Sequence, residues 1–322
     1  MDLHSLAAHL AAHPSITGKR DIAAATRALG LTGSGPGTPG DDAAPIPRPE
    51  GGWDLLAGEG FIPGFVAHDP WFAGWCGVMV NLSDIAAMGG RATALLDAVW
   101  APDADSAAPL LKGLADAARA YGVPIVGGHT NLRAPALGLS VSVTGRAQRL
   151  ISSFGARPGE RLIAAIDHRG SYRSFDNFCA ALDVPHERLR GDLALLPELA
   201  EAGLTAAGKD ISQGGIAGTA LMMAECSGTG MEIDLDAIPR PQGVALDRWL
   251  VSFPSFGFLL TAAGAATPEI LARFAARGIT AAVIGRVTDG TCLTLARDGD
   301  TVAFWDHAAD PYLSLTPEPV DA

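Results

Sequence analysis

Two acidic stretches carry the fold assignment of this sequence: Gly40-Asp41-Asp42-Ala43-Ala44 and, further along, Asn81-Leu82-Ser83-Asp84-Ile85-Ala86-Ala87-Met88-Gly89-Gly90. Each places carboxylates among small or apolar neighbours, where an unpaired charge is costly. Carboxylates retained in such surroundings are candidates for cation binding or for chemistry. Glu59, which lies between two glycines, is a third candidate. Together these residues predict a site for metal ions and phosphate in the amino-terminal half.

The second acidic stretch belongs to a predicted helix. Asp69-Pro70 is a typical helix start, with Asp as the N-cap and Pro in the first turn, and the helix is expected to run to about Met88. Asn81 and Asp84 fall at helical spacing from Gly77, so the three residues share one face. A glycine lets a backbone or ligand approach closely, and the Asn and Asp side chains supply oxygen ligands of the kind that Mg²⁺ prefers.

The three carboxylates of Asp42, Glu59 and Asp84 would repel one another around one site unless cations neutralised them. That reasoning favours a metal-dependent nucleotide site, with Asp41 as a further possible ligand. For single residues, simpler interpretations remain open. Asp41-Asp42 also fits an ordinary turn, and Asp84 also fits a structural role in capping a neighbouring loop.

Further candidates lie at predicted element ends. Gly127-Gly128-His129-Thr130 is expected to form a turn after a strand at 123–126, where paired glycines would let the backbone approach phosphate. Asp210-Ile211-Ser212-Gln213-Gly214-Gly215 is expected to open a helix, a typical place for an anion. Arg146, at the end of an alternating strand at 137–144, is a candidate phosphate ligand.

The bulk properties exclude several classes of protein. The formal net charge of −12 disfavours a nucleic-acid surface, which needs a basic stripe. The cysteines show no zinc spacing, and no apolar run approaches the roughly 20 residues of a membrane helix. No Walker A motif and no dinucleotide-binding glycine motif is present. We expect a cytoplasmic protein that binds neither nucleic acid nor membrane.

The organisation along the chain predicts two domains, residues 1–148 and 149–322, because the pattern of loop and strand restarts near residues 149–159. Strands and helices alternate irregularly, which favours an α+β fold over a doubly wound sheet. Helices are expected near residues 104–120 and 173–182, among others.

Taken together and in this order, the motifs resemble the superfamily of AIR synthase, thiamine-monophosphate kinase, selenophosphate synthetase and a hydrogenase maturation protein. Residues 81–89 are the most specific part of the resemblance, because they nearly match the kinase pattern. Residues 40–44, 127–130, 210–215 and 284–287 are similar to the other motifs of this superfamily. The resemblance covers most of the chain.

The resemblance implies an AIR-synthase-like fold whose amino-terminal domain forms a shared β-barrel in a homodimer, with a carboxy-terminal α+β domain. It also implies that ATP and Mg²⁺ bind in a cleft. The residues that would serve are Asp42, Asp84 and Asp210 in catalysis; Asp41, Asp42, Glu59, Asp84 and Asp210 at the metal; and Gly40, Asn81, Gly127, Gly128, His129, Thr130, Arg146 and Ser212 at the nucleotide.

The expected function is a Mg²⁺-dependent, ATP-using enzyme, a phosphotransferase or ligase. It would phosphorylate or otherwise activate an oxygen of a small molecule and release ADP. Glu59, His129 and Gln213 depart from the pattern of thiamine-monophosphate kinase. Three alternatives therefore stay open: activity like that kinase, ring closure like that of AIR synthase, and a non-catalytic nucleotide-binding scaffold.

Overall fold

A computed structural model describes residues 1–31, 35, 38–173 and 175–314. The α-helices, in chain order, are α1 (Leu3–Ala11), α2 (Pro14–Thr17), α3 (Asp21–Ala28), α4 (Pro63–His68), α5 (Pro70–Ala87), α6 (Ala104–Tyr121), α7 (His186–Leu193), α8 (Leu195–Glu201), α9 (Gly215–Ser227), α10 (Leu246–Leu250) and α11 (Thr267–Ala276). None of these described helices combines the length and the hydropathy needed to cross a bilayer.

The strands, in chain order, are β1 (Ala44–Pro47), β2 (Trp53–Gly60), β3 (Gly90–Trp100), β4 (Ile125–Asn131), β5 (Gly138–Ala147), β6 (Arg161–Ile166), β7 (Ser171–Tyr172), β8 (Asn177–Cys179), β9 (Ala207–Asp210), β10 (Gly230–Asp234), β11 (Phe253–Pro254), β12 (Gly257–Ala262), β13 (Thr280–Thr288), β14 (Cys292–Arg297) and β15 (Asp300–Asp306). Helices and strands are mixed without a regular β-α-β alternation, so the predicted α+β class is confirmed.

The described residues form two compact units. Unit 1 takes its residues from Met1–Asp41, Ile151–Ala180 and Ala202–Ala322, and unit 2 comprises Asp42–Leu150 and Ala181–Glu201. The chain leaves unit 2 close to the predicted boundary at 148/149. The division is not linear, however, because residues 1–41 belong to unit 1 and residues 181–201 belong to unit 2.

Unit 2 is built on a five-stranded sheet in the order β1-β2-β5-β3-β4, in which only β3 and β4 pair in parallel. Helix α5 covers one face of this sheet, called the inner face. A Cβ at Gly77 would lie 3.0 Å from Leu139 Cδ2 and 3.1 Å from Val141 Cγ2, so the helix needs glycine there to pack closely. As described, the sheet has two edges, β1 and β4, and the barrel implied by the resemblance is not closed within this single chain.

Unit 1 is built on a seven-stranded sheet in the order β15-β14-β10-β13-β6-β12-β9, beside a small sheet of β11, β8 and β7. The first helices of the chain pack on this unit. Helix α1 lies against β14 and β15, and the Tyr312 hydroxyl donates a hydrogen bond to the carbonyl oxygen of Ile16 (2.7 Å). Helices α1 and α2 therefore contribute to the core of unit 1.

Several predicted elements differ from the structure. Helix α5 confirms the predicted helix at 70–88, and α6 confirms the one at 104–120. Residues 173–182 were predicted as a helix, but β8 and a neighbouring turn lie there, paired with β7 and β11. Strands β3 and β15 were not predicted. Residues 33, 34, 36 and 37, in the glycine- and proline-rich sequence before Gly40, lie outside the described residues.

Candidate metal and nucleotide site

Helix α5 carries the two polar residues predicted on its glycine face. Asp69 caps the helix by accepting a hydrogen bond from the backbone N–H of Phe72 (3.2 Å), and Pro70 follows in the first turn. Asn81 and Asp84 are both buried. They lie one turn apart and so are neighbours on one face of the helix.

Asn81 has an acceptor that the described protein does not satisfy. Its Nδ2 donates to the carbonyl oxygen of Gly77 (2.7 Å), whereas its buried Oδ1 has no hydrogen-bond partner. A buried polar atom without a partner costs about 1–3 kcal/mol. A cation, a water molecule or a ligand donor would remove that cost, so Asn81 fits the predicted role of a ligand-contacting residue.

Asp42 and Asp84 form the acidic pair of unit 2. Their carboxylate oxygens lie within 4.8 Å of each other. Asp84 is held by α5, whereas Asp42 lies in the irregular segment just before the edge strand β1. Two carboxylates at this separation repel each other unless a proton or a cation is shared between them. Oxygen ligands so placed suit Mg²⁺ or a similar hard cation.

Glu59 lies on the inner face of the same sheet but is exposed. In β2 it follows the buried Leu55 by four residues, so it points to the inner face, the side of α5. The ladder pairs Glu59 with Val141, whose side chain lies against Gly77, one helical turn before Asn81. Among the described residues, Glu59 does not belong to the group of converging carboxylates.

A further acidic residue, Asp97, lies on the inner face of the sheet, in the row of cross-strand neighbours that contains Glu59 and Val141. The ladders pair Glu59 with Val141, Val141 with Asp97, and Asp97 with Gly128. Burial raises the pKa of the Asp97 carboxyl above its ordinary value. A Cβ at Gly128 would lie 2.5 Å from Asp97 Oδ1. Glycine at position 128 is therefore required for β3 and β4 to pair around this carboxyl.

The predicted turn at residues 127–130 is wrong, because these residues belong to strand β4. β4 is an edge strand, and its residues from Val126 to Asn131 are exposed. His129 pairs with Ala98, the neighbour of the inward-facing Asp97 and Val99, so it lies on the outer face of the sheet.

Arg146 also lies on the outer face. Its neighbours in β5, Gly145 and Ala147, are buried on the inner face, and Arg146 itself is exposed. Its Nε donates to Asp54 Oδ1 (3.2 Å) in a solvent-exposed ion pair. Within unit 2, the structure therefore places Arg146 and His129 on the side of the sheet opposite to α5.

Gly40 and Asp41, the first two residues of the first acidic stretch, belong to unit 1. The Asp41 carboxylate accepts hydrogen bonds from Ser152 Oγ (2.9 Å) and from the backbone N–H of Ser153 (2.6 Å). Lys209 Nζ donates to the carbonyl oxygen of Gly40 (3.1 Å). Asp41 thus makes hydrogen bonds within the protein, and Gly40 is held by a buried lysine.

The predicted helix start after Asp210 is confirmed. Asp210 is buried at the end of β9, and α9 begins at Gly215 after a turn in which Gly214 has a φ of +104°. Ser212 Oγ accepts a hydrogen bond from Lys19 Nζ (3.3 Å). An amino-terminal lysine therefore lies beside the start of α9, within unit 1.

The sequence analysis missed Asp97, Lys209 and the pair Ser152-Ser153. Two of these left a signal in the sequence. Asp97 interrupts the apolar run Leu95-Leu96-Asp97-Ala98-Val99, and Lys209 interrupts the small and apolar residues before Asp210. The two serines left none, because their role depends on contacts with a residue distant in sequence.

Comparison with known proteins agrees with this architecture. Residues 40–147 match the family model described as AIR synthase related protein, N-terminal domain, and residues 180–297 match the model for the C-terminal domain. An uncharacterized protein of Synechocystis sp. is 45% identical, with 86% of each chain covered. A thiamine-monophosphate kinase of Halobacterium salinarum is 30% identical over 87% of this chain and 98% of its own length.

Solved structures show the same fold. Thermotoga maritima PurL complexed with ATP superposes with a TM-score of 0.74 at 17% identity, covering 98% of this chain and 52% of that chain. This chain therefore spans about half the length of the PurL chains that it matches. At this level of identity the likeness supports the fold alone.

Proposed function

The chain belongs to the AIR synthase related protein family, and on that premise we propose that it is a Mg²⁺-dependent, ATP-using enzyme. It would phosphorylate or otherwise activate an oxygen of a small molecule and release ADP. The observation that carries the proposal is the convergence of the Asp42 and Asp84 carboxylates, with the unsatisfied Asn81 Oδ1 one turn away on α5.

In this proposal Asp42 and Asp84 bind Mg²⁺, and Asn81 Oδ1 binds the ion or one of its waters. Glu59, Asp41 and Asp210 remain proposed as further ligands. When bound, Mg²⁺ would neutralise charge on the ATP phosphates. The protein residues would mainly orient the phosphates and keep the ligand oxygens in place, because phosphoryl transfer needs positioning and charge neutralisation more than covalent chemistry.

The proposed nucleotide contacts fall into two groups. Near the metal and the terminal phosphates we propose Gly40, Asn81 and Ser212. At β4 and the outer face we propose Gly127, Gly128, His129, Thr130 and Arg146, where a second copy of the chain would complete their surroundings.

A homodimer is proposed as the functional form. Leu56 and Leu96 are exposed on the outer face of the sheet, and Val126 is exposed on the edge strand β4. An open edge strand offers unpaired backbone groups to another strand, and exposed apolar side chains favour burial. Light scattering should show a dimer for the wild type and a shift toward monomer for Val126→Lys. A wild-type monomer at every accessible concentration would contradict this.

A second candidate function is the phosphorylation of thiamine monophosphate, which the likeness to the Halobacterium kinase favours. Incubation with ATP, Mg²⁺ and thiamine monophosphate, followed by mass spectrometry, separates the candidates. A product heavier by one phosphoryl group supports kinase activity of this kind. ADP formation only with another acceptor supports the broader proposal.

The test of the proposed function is calorimetric titration with ATP in the presence and absence of Mg²⁺. We expect binding that depends on Mg²⁺ and that Asp84→Asn weakens by about a hundredfold or more, because even residues that only orient metal ligands are worth about 10- to 100-fold. Asp298→Asn is the matched control, because that side chain is 85% exposed. If the wild type shows no Mg²⁺-dependent ATP binding at millimolar nucleotide, the proposal fails.

A further inference from the structure

We propose that Lys209, together with Ser152 and Ser153, is a positioning element that anchors Gly40-Asp41 and so sets where the next residue, Asp42, presents its carboxylate. The inference rests on the proposed role of Asp42 as a metal ligand. It assigns these three residues a positioning role in that site.

The first observation is the burial of Lys209. All four residues of strand β9 are buried, and Lys209 is only 6% exposed. Lysine is rarely buried, because its ammonium loses its hydration unless protein groups replace it. At this position, one hydrogen bond is donated to the carbonyl oxygen of Gly40 (3.1 Å), a residue distant in sequence. An apolar residue of similar length could not make this hydrogen bond to Gly40.

The second observation is the conformation of Gly40. Its φ of +122° is one that residues with side chains rarely adopt. Among the described residues of this turn, Thr38 donates to Gly35 O through its N–H (3.1 Å) and its Oγ1 (2.8 Å), and the Asp41 N–H donates to Thr38 O (3.4 Å). The contacts from Lys209, Ser152 and Ser153 add distant partners to these local hydrogen bonds.

The third observation is how Asp41 is engaged. Ser152 Oγ lies 2.9 Å and 3.0 Å from the two carboxylate oxygens of Asp41, and the Ser153 N–H donates to one of them (2.6 Å). Hydrogen bonds to a charged acceptor are about twice as strong as neutral ones. Asp41 is thus fixed by hydrogen bonds from residues 152 and 153, directly before the proposed metal ligand Asp42.

The fourth observation is that Ser152 and Lys209 are both connected to strand β9. Ser152 N–H donates to the carbonyl oxygen of Ala206 (3.0 Å), immediately before β9, and the Gly208 N–H donates to Ser152 O (3.4 Å). Lys209 is the next residue of the same strand. Strand β9 therefore holds Gly40-Asp41 at two points, through its own lysine and through the serines hydrogen-bonded to it.

Lys209→Met, which keeps the length of the side chain and removes the donor, tests the proposal. In calorimetric ATP titrations at several Mg²⁺ concentrations, we expect the Mg²⁺ concentration for half-maximal binding to rise about tenfold, as for other residues that orient metal ligands. Amide hydrogen exchange of residues 38–44 should become faster. Lys209→Gln, which restores a donor without the charge, should recover much of the Mg²⁺ response.

Lys112→Met is the matched control, because Lys112 is an exposed lysine that forms an ion pair on the surface of α6. It should change neither the Mg²⁺ response nor the exchange. If Lys209→Met does not fold, Ser152→Ala is used, with the same expected direction and a smaller shift. An unchanged Mg²⁺ response and unchanged exchange in a folded variant would overturn the inference.

The failure of the inference can be told from the failure of the proposed function. If the wild type binds ATP with Mg²⁺ and the variants bind it equally well, only the positioning role is lost. A lowered unfolding temperature with an unchanged Mg²⁺ response would also overturn it, since Lys209 would then be merely structural. If the wild type itself shows no Mg²⁺-dependent binding, both the site and the inference fall.

Discussion

Asp84 and Asp42 are held close together in unit 2 by different means. Asp84 lies near the end of an eighteen-residue helix that is capped at its start and buried from Phe72 to Ala87. Asp42 lies outside any helix or strand, directly after Gly40-Asp41, whose described contacts include hydrogen bonds from Ser152, Ser153 and Lys209. Local structure places Asp84, whereas the segment that leads into Asp42 has partners distant in sequence.

This difference indicates which contacts keep each of the two carboxylates in place. The position of Asp84 follows from helix geometry and from the glycines that let α5 pack closely. The position of Asp42 is inferred to depend on the contacts that Lys209, Ser152 and Ser153 make with Gly40-Asp41. A change to the packing glycines of α5 should therefore affect stability and the site together, whereas a change to the contacts of Gly40-Asp41 should affect mainly the site.

The largest effect on stability is expected for Gly74→Ala in α5. A Cβ at this position would lie 2.1 Å from the carbonyl oxygen of Leu110, in the adjacent helix α6. The helices would have to separate, at a cost of about 1–3 kcal/mol in the free energy of unfolding. Chemical denaturation measures this loss of stability. Gly64→Ala is the control, because nothing lies within 4 Å of a Cβ at that position. Equal stability of the two variants would show that α5 is not tightly held.

Asn81→Leu should weaken ligand binding while leaving the stability of the protein nearly unchanged. Leucine has a similar branched shape and lacks the unsatisfied Oδ1, so the free energy of unfolding should change by no more than about 1 kcal/mol. Mg²⁺-dependent ATP binding should weaken about tenfold. Calorimetry and denaturation on the same preparation provide both values. A large loss of stability with normal ATP binding would assign Asn81 a purely structural role.

The smallest effect is expected for the pH dependence of stability that comes from Asp116, where α6 contacts α5. Hydrogen bonds from Lys112, from the Trp71 indole and from Arg119 lower the pKa of Asp116 from 3.8 to about 2. A carboxyl with a lowered pKa in the folded state stabilises the protein above its ordinary pKa, and this stabilisation is lost as the pH falls from 3.8 toward 2.

Asp116→Asn should therefore reduce the fall in unfolding temperature between pH 4 and pH 2. Because the ion pairs of Asp116 lie at the surface, the difference is expected to be small. Thermal unfolding at several pH values in that interval measures it. The same slope in both proteins would mean that Asp116 does not contribute to holding α6 on α5.

The sequence predicted best what local rules determine. The start of α5 followed from Asp69-Pro70, and its glycine face placed Asn81 and Asp84 together correctly. The family, the α+β class and the helix after Asp210 were also predicted from short motifs. These features depend on spacing along one element or on motifs that keep their order, so no knowledge of tertiary contacts was needed.

What the sequence did not predict depends on pairing between distant segments. Strand β3 was missed, although it lies between β5 and β4. Gly127 to Thr130 was taken as a turn, because an edge strand with two glycines has little β-sheet pattern of its own. The partners of Asp41 and Gly40 come from residues more than a hundred positions later, and no local pattern announces them.

The most direct test of the central claim is a crystal structure with Mn²⁺ in place of Mg²⁺ and a non-hydrolysable ATP analogue, using anomalous scattering to locate the metal. The account predicts an anomalous peak within coordination distance of the carboxylate oxygens of both Asp42 and Asp84, with the analogue's phosphates bound to the same ion. A bound analogue whose metal lies away from both carboxylates, or an analogue bound with no metal near them, would contradict it.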